Sequence, residues 1–341
     1  MSIKLKALLS VIIVGLSAVI WGWFTYSNAL EKSIVNQQTI VVEIPKGASF
    51  NQIIERLQQQ HIEIEPFWFK AIAYRYNLAG KLKAGEYELT KGLTTLAALR
   101  QFAEGKVKHY ALTFPEGWTF KDMLKLLADT PKLDHLLTSK KLPEILKMVG
   151  IDKPNAEGWF FPDTYSFTKG TSDIAILKKA YLKMQATLDQ EWQQKQPGLP
   201  LKDAYQALTL ASIIEKETGI ASERGQISGV FTRRLQKGML LQTDPTVIYG
   251  MGDAYQGNIR SKDLKAATPY NTYVITGLPP SPIAMPGREA IYAALHPVAG
   301  NSLYFVAKGG GGHLFSESLA AHNDAVNKYQ RKQKPLAHDQ R

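Results

Sequence analysis

The feature that most constrains this chain is Ala7–Phe24, ALLSVIIVGLSAVIWGWF, which contains no charged residue. As a helix rising about 1.5 Å per residue it would be about 27 Å long, close to the hydrocarbon thickness of a bilayer. Trp21, Trp23 and Tyr26 fall where an interfacial aromatic belt belongs. Lys4 and Lys6 precede the run, which predicts a cytoplasmic N-terminus and a bulk outside the membrane. A cleaved signal peptide is the competing interpretation. The bulky residues from Trp21 to Tyr26 offer no small-x-small cleavage site, so an uncleaved anchor is expected. No other stretch is apolar enough to span, which makes this a single-pass protein.

Beyond the anchor the chain is globular in character: 45% hydrophobic and 21% charged, enough for packed cores and too little charge for wholesale disorder. Its net charge of +11 points to an anionic partner, either a lipid surface or an acidic polymer. No basic arm, zinc-finger spacing or RNA-binding signature accompanies it, so nucleic acid is not expected. The chain has no cysteine, which excludes disulfides and thiolate chemistry.

The expected class is α+β, with an N-terminal transmembrane helix, a small α/β subdomain and a larger mixed catalytic domain. Residues 1–27 form the cytoplasmic N-terminus and anchor, and 28–38 a polar linker. In 39–107, Thr39–Ile44 and Gly85–Leu89 alternate as strands, and Ser49 can cap a helix running through Gln59. Pro66–Tyr76 and Thr94–Glu104 also read as helices. This order is similar to LysM modules, which bind cell-wall glycan; a structural spacer would have the same order. The catalytic domain is expected over 108–333 and a loose basic tail over 334–341. Within it, Leu133–Val149 reads as a helical segment, Ser222 as the cap of a helix ended by Gly238, and Gln242–Gly252 as site-building loops.

Ala211-Ser-Ile-Ile-Glu215-Lys-Glu217-Thr-Gly219 closes a helix capped by Asp203, with Gly219 as its expected left-handed end residue. The two glutamates are two positions apart, so they point in different directions and cannot act as one pair. Glu217 follows Ile213 by four residues, Ile214 by three and Leu210 by seven. That apolar setting, and the negative end of the helix, should raise its pKa towards what a general acid needs. Glu215 has smaller, more polar neighbours and reads as structural or solvated. A glycosidase would need a second carboxylate, about 5 Å away for retention or roughly 6.5–9.5 Å for inversion. Asp163, Asp244 and Glu157 are the candidates. Alternatively Glu217 alone could protonate the glycosidic oxygen and then take a proton from a hydroxyl of the substrate.

Glu157-Gly-Trp-Phe-Phe-Pro-Asp-Thr-Tyr165 combines aromatics with carboxylates, as a sugar groove or a core turn would; Glu157, Phe161 and Asp163 are its candidate contacts. Gln242, Asp244, Tyr249, Asn271 and Tyr273 are polar or aromatic loop residues expected to line the groove, although Asp244 and Asn271 could equally cap turns. The scattered histidines include no H-E-x-x-H or His/Asp cluster, so no metal is expected. Neither G-x-S-x-G nor a phosphate loop is present, and no cofactor is expected.

Leu210-Ala-Ser-Ile-Ile-Glu-Lys-Glu-Thr218, Ala221-Ser-Glu-Arg224, Leu241-Gln-Thr-Asp-Pro-Thr-Val-Ile-Tyr-Gly250, Tyr270-Asn-Thr-Tyr273, Gly277-Leu-Pro-Pro280 and Gly312-His313, with the Glu157–Thr164 motif, resemble the YceG-like (MltG) family of endolytic murein transglycosylases. The resemblance runs from the anchor to the last helix. It implies a bacterial inner-membrane protein whose catalytic domain faces the periplasm. It also implies cleavage of the MurNAc–GlcNAc β-1,4 bond of nascent peptidoglycan strands, leaving 1,6-anhydro-MurNAc ends. The implied role is to terminate glycan elongation beside the penicillin-binding-protein synthases, and the implied catalytic residue is Glu217. Ser281 departs from the family pattern, at a position where glycine is expected. The competing class is a non-catalytic peptidoglycan-binding scaffold of the wall-synthesis complex.

Overall fold

The structure, a computed structural model, describes residues 3–331; the basic tail expected over 334–341 lies outside them. The described residues are mixed α+β and fall into two compact units, 3–110 with 166–170, and 111–165 with 171–331.

The first unit opens with α1 (Ile3–Glu31), a helix without a buried residue, long and apolar enough to cross a membrane. It extends past the uncharged run, so residues 28–31 of the expected linker are helical. The rest of that linker is not open chain either: Ile34 and Val35 are buried in the core of the unit. β1 (Ile40–Ile44) pairs antiparallel with β2 (Gly85–Leu89), Ile40 opposite Leu89 and Ile44 opposite Gly85. Between them lie α2 (Phe50–Gln59) and α3 (Pro66–Arg75), and α4 (Thr95–Glu104) follows. Ser49 caps α2 as expected, and Gln52 returns the bond to complete a capping box. Ile53, Ile54 and Leu57 of α2 turn inward to meet Phe69, Ile72, Tyr87, Leu99 and Phe102.

β3 (His109–Thr113) pairs with β5 (Thr164–Thr168), and two of the three breaks in this division fall inside these strands. Between them come α5 (Phe120–Ala128), β4 (Leu133–Asp134) and α6 (Leu142–Val149). The segment read as helical over 133–149 therefore starts as a strand and becomes helical only at Leu142. β4 pairs in parallel with β6 (Thr171–Ser172), and the Asp173 carboxylate accepts from the amides of Leu136 and Leu137, which holds the intervening chain out of a helix.

The second unit is built on α7 (Asp173–Gln193), α8 (Ala204–Glu217), α9 (Ala221–Gln236), α10 (Asp244–Met251) and α11 (Arg288–Leu295). α8 is its axis: every residue from Ala207 to Ile214 is buried, and α11, α9 and α7 pack around it. A helix enclosed on all sides has little freedom to shift, so its C-terminal residues are held firmly. A hairpin, β7 (Tyr304–Ala307) with β8 (His313–Ser316), and α12 (Leu319–Val326) complete the unit.

One close approach fixes the aromatic motif beside α8. Gly158 has φ +84°, and a Cβ there would lie 2.5 Å from Pro282 and 3.2 Å from Leu208. Gly158→Ala should therefore lower stability by about 1–3 kcal/mol, combining left-handed strain with overpacking. A drop in the urea midpoint at unchanged m-value would register it.

Candidate active site

α8 carries both glutamates in its last turn, and the structure gives them different surroundings. Glu215 is structural and not solvated: its side chain is 6% exposed, it accepts from the Gly287 amide at 2.9 Å, and Arg224 stands 3.8 Å away. It thus joins α8 to the start of α11. Ser212 makes a second tie, accepting from the Ile283 amide at 3.0 Å and donating to the Thr209 carbonyl at 2.7 Å.

Glu217 stands on the wall of a cleft of about 560 Å³, lined also by Arg234, Gln242, Thr243, Asp244, Tyr273, Tyr304 and His313. It keeps some surface towards the cleft, while protein surrounds most of its carboxyl group. Burial pushes its pKa up to about 7; the Thr243 hydroxyl, which donates to Oε1, and His313 oppose the shift, and Asp244 reinforces it. Such a carboxyl is substantially protonated at neutral pH and can give up and recover a proton there.

Thr243 is held in turn. It is buried, its amide donates to Thr272 Oγ1 at 3.1 Å, and Thr246 Oγ1 donates to its carbonyl at 2.8 Å. Gln242 beside it has φ +51°, a backbone conformation that side chains other than glycine rarely adopt. Arg234 stabilises this turn by donating Nη1 to the Leu240 and Leu241 carbonyls and Nε to that of Leu303. Across the cleft, Glu223 accepts from the His313 amide at 2.9 Å and sits 2.7 Å from its Nδ1, which fixes how the imidazole is presented. Burial would raise the Glu223 pKa, but the contacts with His313 bring it below its ordinary value.

Four of the nine candidate residues therefore meet in one cleft: Glu217, Gln242, Asp244 and Tyr273. Asp244 Oδ1 accepts from the Tyr273 hydroxyl at 2.6 Å. The other five are engaged elsewhere. Glu157 is 5% exposed and accepts from the Phe120 amide and the Tyr249 hydroxyl, so these two candidates satisfy each other; burial holds the Glu157 pKa near 7. Phe161 and Asp163 both face Lys183, one through its ring and one as an ion pair. Asn271 is buried and donates to the carbonyls of Asp263, Leu264 and Ala266, so it organises a loop and does not line the groove.

Three local expectations are corrected. Gly219 does not take the left-handed end position. Thr218 leaves α8 in an extended conformation, and its hydroxyl accepts from Ile220, the residue preceding α9. With α9 starting so soon, there is no space for a separate glycine turn, and Ser222 lies inside α9 instead of capping it. The loop expected over 242–252 contains α10, which places Asp244 at its first residue.

The model of the YceG-like family matches residues 42–328. The chain belongs to this family. Within the YceG-like family it is 31% identical over 332 residues to a Bacillus subtilis protein named endolytic murein transglycosylase, covering 91% of both chains. A Streptococcus pneumoniae protein of the same name is 28% identical over 323 residues; the match covers 84% of this chain and 58% of that longer relative. A crystal structure of a yceG-like protein from Listeria monocytogenes aligns with TM-score 0.55 and 32% identity, covering 84% of this chain and 98% of that one.

Proposed function

We propose that this protein is a membrane-anchored endolytic peptidoglycan transglycosylase in which Glu217 acts alone, first as acid and then as base. The observation that carries the proposal is the Glu217 carboxyl, held in the cleft wall with its pKa near 7. In the first step Glu217 protonates the oxygen linking C1 of MurNAc to O4 of GlcNAc, and the C1–O4 bond breaks. The resulting carboxylate then accepts the proton of the MurNAc 6-hydroxyl while O6 bonds to C1. The products are a free GlcNAc 4-hydroxyl and a 1,6-anhydro-MurNAc end, with no water consumed and Glu217 protonated again.

Gln242, Asp244 and Tyr273 are assigned to sugar contacts, since they share the cleft with Glu217. Glu157, Phe161, Asp163, Tyr249 and Asn271 are assigned to the scaffold, because their polar or ring surfaces are already engaged. The first unit is proposed as a LysM-like glycan-binding module. The N-terminus lies in the cytoplasm, the globular units in the periplasm, and release of glycan strands takes place beside the penicillin-binding synthases. The names of the relatives support the substrate class.

A second mechanism is favoured by one observation: Asp244 is a carboxylate in the same cleft as Glu217 and would suit a hydrolase. Mass spectrometry of digested glycan strands separates the alternatives. Anhydro ends that disappear in Glu217→Gln support the transglycosylase, reducing ends indicate hydrolysis, and no products from wild type indicate a scaffold. Asp244→Asn adds a sharper test. Under the single-glutamate mechanism it retains anhydro products and shifts the alkaline limb of the rate profile to lower pH, because Asp244 raises the Glu217 pKa. Under hydrolysis it loses turnover by about 10²-fold or more.

A further inference from the structure

The first unit presents an aromatic surface immediately above the point where α1 would leave the hydrocarbon. The uncharged run ends at Phe24, and Tyr26 lies only about 3 Å further along the helix axis. There the globular part already begins: Tyr26, Ala29 and Leu30 pack against the core of the unit. A continuous series of rings leads outward from α1. Trp23 is 6.4 Å from Tyr26, Tyr26 is 5.8 Å from Trp68 of α3, and Trp68 is 4.9 Å from Phe67. Phe67 is 72% exposed. Tyr74, two turns along the same side of α3, is 71% exposed, and Lys70 lies between them.

Two large aromatic residues so exposed on one helix face are costly in water and are favoured in the headgroup layer, where ring faces meet lipid and a lysine can reach phosphate. That layer adds roughly 5–8 Å on each side of the hydrocarbon, so a ring in contact with Trp68 is within its reach. We propose that the Phe67–Tyr74 face of α3 rests in the headgroup layer of the bilayer that α1 spans, giving the first unit a second membrane contact. This rests on α1 being the membrane anchor. The occupant is lipid because α1 itself sets the height of α3 above the hydrocarbon.

The absence of cysteine makes the test direct. Single variants Val14→Cys, Phe67→Cys, Tyr74→Cys and Lys237→Cys of the full chain are labelled with a nitroxide. They are reconstituted in vesicles of phosphatidylethanolamine and phosphatidylglycerol, and collision with oxygen is compared with collision with a water-soluble nickel chelate. The expected result is a high oxygen-to-nickel ratio at Val14, intermediate ratios at Phe67 and Tyr74 several-fold above Lys237, and an aqueous Lys237. Val14 within lipid with Phe67 and Tyr74 both equal to Lys237 would overturn the surface contact and leave the anchor intact. An aqueous Val14 would overturn the anchor, and the surface contact with it.

Discussion

Glu217→Gln is expected to reduce glycan cleavage by at least about 10³-fold while leaving the fold intact, because the glutamine cannot donate or receive the transferred proton. The same variant should be more stable than wild type in alkaline solution. Folding raises the Glu217 pKa from 4.5 to about 7. A carboxyl raised in this way opposes folding above its unfolded pKa, increasingly until the pH passes the folded value. Glutamine removes the penalty and can still accept from Thr243. The gain should be about 1–3 kcal/mol at pH 8, towards the lower end because the cleft is open to water, and should vanish as the pH falls to about 4.5. Thermal melts of both proteins at several pH values measure it. The cleavage rate of wild type should follow the same ionisation, falling above a pH of about 7 as the starting proton is lost. A rate that instead rose through pH 7 would exclude a protonated Glu217 as the initiating acid.

Glu217 was separable from Glu215 in the sequence because helix geometry converts spacing into direction, and the buried α8 obeys that geometry closely. The long apolar α1 and the helix cap at Ser49 were legible for the same reason: each depends on neighbours along the chain. Side chains brought together from distant segments were not. Arg234, Thr243 and His313 complete the surroundings of Glu217 from α9, the turn before α10 and the β7–β8 hairpin. Nothing in their local patterns indicates a common cleft. Glu157 and Tyr249 looked like groove residues individually, and only the fold reveals that they bond to each other. The start of α10 did carry a signal, since Thr243-Asp-Pro245 places a capping residue type before a proline in the first turn. Ser281, unexpected by family pattern, is 3% exposed and bonds to the Tyr270 hydroxyl at 2.7 Å, a contact glycine could not make.

Arg234→Lys should damage both stability and turnover, although it preserves charge. The Arg234 side chain is 7% exposed, and its guanidinium spans carbonyls of Leu303, Leu240 and Leu241 at 2.6, 3.0 and 2.9 Å. Its Cζ also lies 5.1 Å from the centre of the Tyr304 ring. An ammonium cannot reproduce that planar fork, so at least one buried carbonyl loses its donor, at a cost of about 2–4 kcal/mol. The freed segment is the strained turn at Gln242, which leads directly to Thr243 and its bond to Glu217. A displacement there of even about 1 Å would misplace the acid, and turnover should fall about 10²-fold. Arg234 bears on the position of Glu217 more than on sugar affinity, so kcat should fall further than KM rises. Urea unfolding and steady-state cleavage of a defined glycan fragment measure the two effects. A variant that lost stability but kept wild-type kcat would show that the Gln242 turn holds Thr243 in place without Arg234.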